Sequence, residues 1–354
     1  MTTTAARSAY EARLRANRVF FLGAGFSAAA GVPLTVELLR RALSLFAADC
    51  PGIYSRVEGY ALESLATDDK KLDVSRLSFS DLCTFLEFIE LREYGGGERW
   101  SDNGSREKLA LRFYLARTIV ESTPDRNTIP DLYLEFAKQL QPGDFIISFN
   151  WDGLLELALD AVGKSYTYDR SNEDAITVSK LHGSVNWRLG EPQRLDGSAA
   201  RLPWQKLDFG SGMMDRSLYS CSNLLNKRVW SHLQPLGEVD PYLALPGYGK
   251  AFDVRANAPL WYRPEFIFGL THDVFIIGLS IAPDDFFVRS FFLSNLPYIQ
   301  DYSGVPGRRV VVINPSDAVR TDYAFVLHRD YAEHWSEPFS LEHVARIKAA
   351  ATGA

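Results

Sequence analysis

Four times along the chain an unbroken run of β-branched and aromatic residues stops at a glycine or a small polar residue: RVFFLGAG from Arg18, FIISFNWD from Phe145, VFIIGLS from Val274 and RRVVVINPSD from Arg308. A strand with one wet face alternates apolar and polar residues, whereas a strand covered on both faces has no polar position to spare. Helical spacing follows most of these runs, so the pattern predicts an α/β fold with a Rossmann-like, doubly wound, mostly parallel sheet. AITVSKL, from Ala175, reads as a further short strand.

Between about residues 52 and 140 the pattern turns helical. FSDLCTFLEFIELREY, REKLALRFYLARTIVES and IPDLYLEFAKQL repeat apolar residues at steps of three and four, which predicts a helical insertion. GGGERWSDNGS, residues 95–105, reads as an exposed loop, and residues 190–250, with scattered Gly, Pro, Trp and Tyr, as a loop-rich insertion on the sheet lobe. The expected organisation is one domain over 1–354, its core formed by 18–50 and 140–345. The Arg- and Ser/Thr-rich segment before Arg18 carries Glu11 and lacks a secretory apolar region, so it reads as a solvated first helix.

Composition narrows the partners. A net charge of −6 supplies no global positive field for nucleic acid or an anionic membrane, which leaves only a local basic groove to meet either. The cysteines are Cys50, Cys83 and Cys221, without a CxxC pair, which predicts a reducing, cytoplasmic setting and no disulfide framework. Apolar stretches such as VFIIGLSIA fall short of the roughly 20 residues of a membrane helix.

In an open parallel sheet, ligands collect outside the carboxyl ends of the strands, so polar residues there are the candidates. Gly23, Gly25 and Ala28 meet the spacing of a dinucleotide corner, but helix runs through the place of the usual acidic partner. GxxxxGK[ST] is absent, since Gly249-Lys250 is followed by Ala251, which leaves a P-loop kinase or ATPase with little support. By itself the corner is equally a phosphate cradle and a packing turn. Asp152 either caps the following helix or faces a ligand, while Asn150 is not explained by one cap position. His182, before Gly183 and Ser184, either presents its imidazole to a cleft or is a structural turn histidine. His232, His272, His328, His334 and His343 form no metal-ligand spacing with the cysteines. Asp81, in FSDL, either faces the site or caps a helix.

Taken in order, these segments resemble the sirtuin superfamily. GAGFSAAAGVP is similar to its GAGxSxxxGIP corner, SFNWD to its TQNID, KLHGSVN to its KLHGS, GLS to its GTS and VVINPSD to its closing strand, spanning residues 18 to about 317. The resemblance implies an NAD site. Gly23, Ala24, Gly25 and Ser27 would hold the pyrophosphate; Asn150 would contact the nicotinamide ribose, Asp152 the carboxamide, and His182 would be the catalytic base. Gly278, Ser280 and Asn314 would line the adenosine end.

The departures from that pattern select a branch. Protein deacylases follow their GIP with Asp-Phe-Arg and carry a four-cysteine zinc ribbon after the histidine. Here Leu34 and Thr35 follow Pro33, only Cys221 lies beyond His182, and Phe149 replaces a glutamine. LALPGYGK, PLWYRPEF and VFIIGLSIAPDDFFVRSFF resemble the bacterial sirtuin-like effectors of anti-phage immunity. That resemblance implies hydrolysis of NAD+, as substrate, to nicotinamide and ADP-ribose, with no zinc. It also implies abortive infection through NAD depletion, a homo-oligomer, and a separately encoded sensor of the HerA-type ATPase or short Argonaute kind. The alternatives are an NAD-dependent deacylase or ADP-ribosyltransferase, a non-catalytic NAD or ADP-ribose-binding subunit, and a structural subunit of a nucleic-acid-handling complex.

Overall fold

The structure of the protein, a computed structural model, describes residues 18–65, 72–91, 105–168, 172, 174–189, 199–201, 218–236, 239–247, 250, 260–261, 271, 273–282, 285–300, 309–326 and 332–351. The expected first helix, residues 95–104 of the expected loop, most of PLWYRPEF, His272 and His328 lie outside them.

Among the described residues the strands, in chain order, are β1 (Arg18–Leu22), β2 (Phe145–Ser148), β3 (Tyr166–Thr167), β4 (Ile176–Lys180), β5 (Gly183–Leu189), β6 (Ala199–Arg201), β7 (Leu218–Cys221), β8 (Pro241–Leu243), β9 (Asp273–Ile277), β10 (Arg309–Ile313) and β11 (Ala332–Trp335). Seven of them form one sheet in the order β11-β10-β9-β1-β2-β4-β3. Every pairing in it is parallel. The fold is therefore the Rossmann-like α/β sheet with flanking helices that the apolar runs predict.

Every residue of β1, β2 and β4 is buried, as strands covered on both faces require. Neighbours along β1 point to opposite faces. Phe20 meets Phe136 of helix Asp131–Gln139 edge-on at 5.4 Å, and Phe21 meets Phe292 of helix Phe286–Gln300 at 5.2 Å. At the opposite end from the polar tips, Arg18 Nε donates to Asp144 Oδ1 at 3.1 Å, tying β1 to the start of β2.

A second core is built from helices Thr35–Asp49, Pro51–Ser64, Phe79–Leu91 and Ser105–Ser122, together with Val185, Trp230, Leu243 and Leu245. Helix Thr35–Asp49 was grouped by sequence with the sheet core, which was expected to run to residue 50. Its apolar stripe, Leu38, Leu39, Ala42, Leu43 and Phe46, instead packs into this helical cluster, where Phe46 stacks on Tyr114 at 4.9 Å. The boundary between the two cores falls near Gly31. The insertion read as loop-rich over 190–250 contributes β6, β7 and β8, which with β5 form a four-stranded antiparallel sheet in the order β6-β7-β5-β8. Strands of three or four residues are too short to show a period. β3 and β11 escaped the sequence for the same reason; they are the two edges of the large sheet, and β11 is AEHW.

Candidate functional site

The chain order reverses around β1, which pairs with β2 on one side and β9 on the other, so the carboxyl ends of these strands form the topological switch point. The glycine corner sits there. Gly23 N donates to Ile277 O at 3.0 Å and Gly25 N to Gly278 O at 2.8 Å. A Cβ on Gly23 would stand 2.3 Å from Leu279 Cα, and one on Gly25 2.8 Å from Gly278 Cα. Backbone lying directly on backbone therefore accounts for both glycines. Gly278 reciprocates at φ +60, with its own N–H donated to Ile313 O at 2.9 Å. Beyond the corner Ala24 is exposed and Ser27 is fully buried.

β2 delivers the second candidate group. Phe149 N still bonds to Leu22 O at 2.9 Å, so the two tips stay in register past the last strand residue. Asn150, buried, then turns its Nδ2 back to Gly23 O at 2.8 Å and Ser27 Oγ at 3.3 Å. The amide nitrogen is spent on the corner, and Oδ1 is the acceptor atom of this side chain. Asp152 accepts the Leu154 N–H at 3.1 Å, which is a helix-starting role. Its own carbonyl accepts from Lys180 Nζ. Lys180 and Glu156, both buried, pair at 3.0 Å, and Glu156 also accepts from Tyr168 Oη at 3.4 Å. This buried polar chain under the Asn150–Asp152 turn was not singled out from the sequence, although Lys180 stands in the KLHGS segment.

His182 follows β4 directly. Leu181 N bonds to Ser148 O at 3.0 Å, which places the histidine beside the β2 tip, and Gly183, at φ +80, turns the chain into β5. The imidazole lies edge-on to Phe149 at 5.2 Å and near Trp261 at 5.9 Å. Its Nδ1 is 3.1 Å from Phe149 O, a contact that requires Nδ1 to carry the proton and leaves a lone pair at Nε2. Nε2 is buried and makes no hydrogen bond.

Burial, with help from the Lys250 ammonium, pushes the His182 pKa down to about 3 against the opposing pull of Asp285 and the Phe149 carbonyl. The ring is therefore neutral at physiological pH. Asp285 Oδ2 stands 3.8 Å from Nε2 and pairs with Lys250 Nζ at 2.7 Å. Burial raises the Asp285 carboxyl. The Lys250 ammonium and the Val288 N–H outweigh it and hold the group below the usual carboxylate range. Lys250 ends LALPGYGK and Asp285 lies within VFIIGLSIAPDDFFVRSFF, and nothing local in either segment gives these two residues a role.

At the β9 and β10 tips, Gly278, Ser280 and Asn314 lie close together. Asn314 Nδ2 donates to Leu279 O at 3.3 Å, and its Oδ1 accepts the Ser316 N–H at 3.0 Å, while Ser280 is exposed. Asp81 is exposed in the first turn of helix Phe79–Leu91, its N–H donated to Ser78 Oγ at 3.1 Å, which is the capping arrangement. Among the described residues no group of three or more His, Cys, Asp or Glu is placed to hold a metal ion, and no helix is long and apolar enough to cross a membrane.

The structure thus places Gly23, Ala24, Gly25, Ser27, Asn150, Asp152, His182, Gly278, Ser280 and Asn314 at or just beyond the carboxyl ends of β1, β2, β4, β9 and β10. No family model and no curated protein matches the chain. Among solved structures it is similar to Sir2Tm bound to a propionylated peptide, at 13% identity and a TM-score of 0.35, over 98% of this chain and 99% of that one.

Proposed function

We propose that the chain is an NAD+ hydrolase of the sirtuin-like kind, cleaving the nicotinamide–ribose N-glycosidic bond to release nicotinamide and ADP-ribose. The observation that carries the reading is the convergence of a buried asparagine and a buried, neutral histidine on neighbouring strand tips beside the Gly23–Gly25 corner. Nicotinamide leaves a ribosyl cation as a neutral pyridine, so the reaction asks for little acid help and for a well-placed water. Asn150 Oδ1 would fix the ribose and that water. His182 Nε2, neutral, would accept a hydrogen bond from the water or a ribose hydroxyl and orient it, the proton passing on to solvent, and Asp152 would hold the carboxamide through the carboxylate oxygen not used by Leu154 N–H. In this reading the corner and Ser27 hold the pyrophosphate, and Gly278, Ser280 and Asn314 border the adenosine. We further propose an anti-phage role by NAD depletion, in a homo-oligomer triggered by a separately encoded sensor.

Chromatography of NAD+ incubated with the wild-type chain, alone and with candidate partners, tests this. Nicotinamide and ADP-ribose are expected without any acyl-lysine acceptor, and His182→Ala or Asn150→Ala should lower the rate about 10²–10⁴-fold. Turnover at the wild-type rate in His182→Ala removes the assignment. Turnover that needs an acyl-lysine peptide points instead to a deacylase, and binding without turnover to a non-catalytic subunit.

A further inference from the structure

The carboxylate that faces His182 comes from neither tip of β2 nor of β4. Asp285 precedes helix Phe286–Gln300, where its Oδ1 accepts the Val288 N–H at 3.1 Å. Its Oδ2 points across 3.8 Å to His182 Nε2. With Nδ1–H given to Phe149 O, Nε2 offers a lone pair, and a carboxylate oxygen offers another. Two acceptors cannot satisfy each other, and a buried nitrogen left without a donor costs about 1–3 kcal/mol and calls for an explanation. At 3.8 Å the two acceptors leave no room for an atom between them, but hydroxyl donors lying to one side of the pair can reach both.

Lys250, almost fully buried, explains why the gap stays open. Its ammonium is 2.7 Å from Asp285 Oδ2 and satisfies the carboxylate that would otherwise draw a proton onto the imidazole and close into an ion pair. Among the described residues the ionisable groups acting on the imidazole are Lys250 and Asp285, and the Phe149 and Trp261 rings lie beside it.

We propose that Asp285 is a second acceptor of the His182 site and that it binds, together with Nε2, two adjacent hydroxyls of a ribose. Lys250 is the positioning residue that keeps the two acceptors apart. The identity of the sugar rests on the NAD+ reading above; the acceptor pair rests on the geometry.

Calorimetry of the full chain with ADP-ribose and with ADP, which lacks the terminal ribose, separates the two. Asp285→Asn keeps an oxygen for the Val288 N–H but loses the charged acceptor. It should weaken ADP-ribose about 10- to 100-fold and leave ADP unchanged. Equal weakening of both ligands, or of neither, overturns the proposal while leaving the NAD+ reading standing. A wild-type chain that binds neither NAD+ nor ADP-ribose overturns both. Lys250→Met is independent of any ligand. The His182 Cε1–H NMR signal, assigned by its loss in His182→Asn, should titrate about one pH unit or more higher than in the wild type. An unchanged titration removes the role given to Lys250.

Discussion

Replacing Gly278 by alanine should be among the most damaging single-methyl changes in this protein, and its cost can be worked from the corner. At φ +60 an L-residue pays roughly 1–2 kcal/mol for the left-handed conformation. The added Cβ would also stand 2.2 Å from Phe26 N, 2.3 Å from Gly25 C and 2.6 Å from Gly25 Cα. All three are backbone atoms, so no rotamer change relieves them; the β1 and β9 tips have to separate. Separation breaks the Gly25 N–Gly278 O bond of 2.8 Å and strains the Gly278 N–Ile313 O bond of 2.9 Å, each worth about 1 kcal/mol net and more when a buried partner is orphaned. The expected total is about 3–5 kcal/mol. Gly31 is the internal control. Its φ is +86, but a Cβ there meets nothing within 4 Å, so Gly31→Ala should cost only about 1–2 kcal/mol. Urea unfolding of the two variants beside wild type reads the difference as a shift in midpoint at constant slope. If the two substitutions cost the same within about 0.5 kcal/mol, a typical effect of an innocuous surface change, the close packing of the corner on β9 is not what demands glycine there.

Two further outcomes follow from the buried charges. His182 takes up its proton near 6.5 when unfolded and only near 3 when folded, so stability is full above about pH 6.5 and is lost as pH falls toward 3. Between pH 7 and 5 the loss from this group should be on the order of 2 kcal/mol, measured by urea midpoints, and His182→Gln should flatten that slope; an equal slope in both refutes the burial argument. Lys180→Met leaves Glu156 as an uncompensated buried charge and should cost about 3–5 kcal/mol, whereas Lys180→Met with Glu156→Leu should recover much of it. A double variant no more stable than the single one would show that the pair is not the source of the loss.

The sheet was legible because β1, β2, β9 and β10 are nearly or wholly covered on both faces, and full coverage writes an uninterrupted apolar run into the local sequence. Asn150 stood out because an amide has no place at the end of such a run, whereas His182 follows the mixed segment AITVSKL and stood out by the Gly183-Ser184 that comes after it and by the resemblance of KLHGS. The cap at Asp152 and the packing role of Gly23 and Gly25 were open alternatives, and the Leu154 N–H and the Gly278–Leu279 backbone show what each is used for within the fold.

By itself, then, the order of residues determined where buried strands begin, where they stop, and which polar groups stand at their ends, since each of those is a property of neighbours along the chain. Only the folded molecule decided that helix Thr35–Asp49 leaves the sheet for the helical core, that three short segments pair with β5 into a second sheet, and that Asp285, held by Lys250, comes to face His182. Those outcomes depend on contacts between residues far apart in sequence, and neither a carboxylate nor an ammonium carries any local mark of the partner it will meet across a closed core.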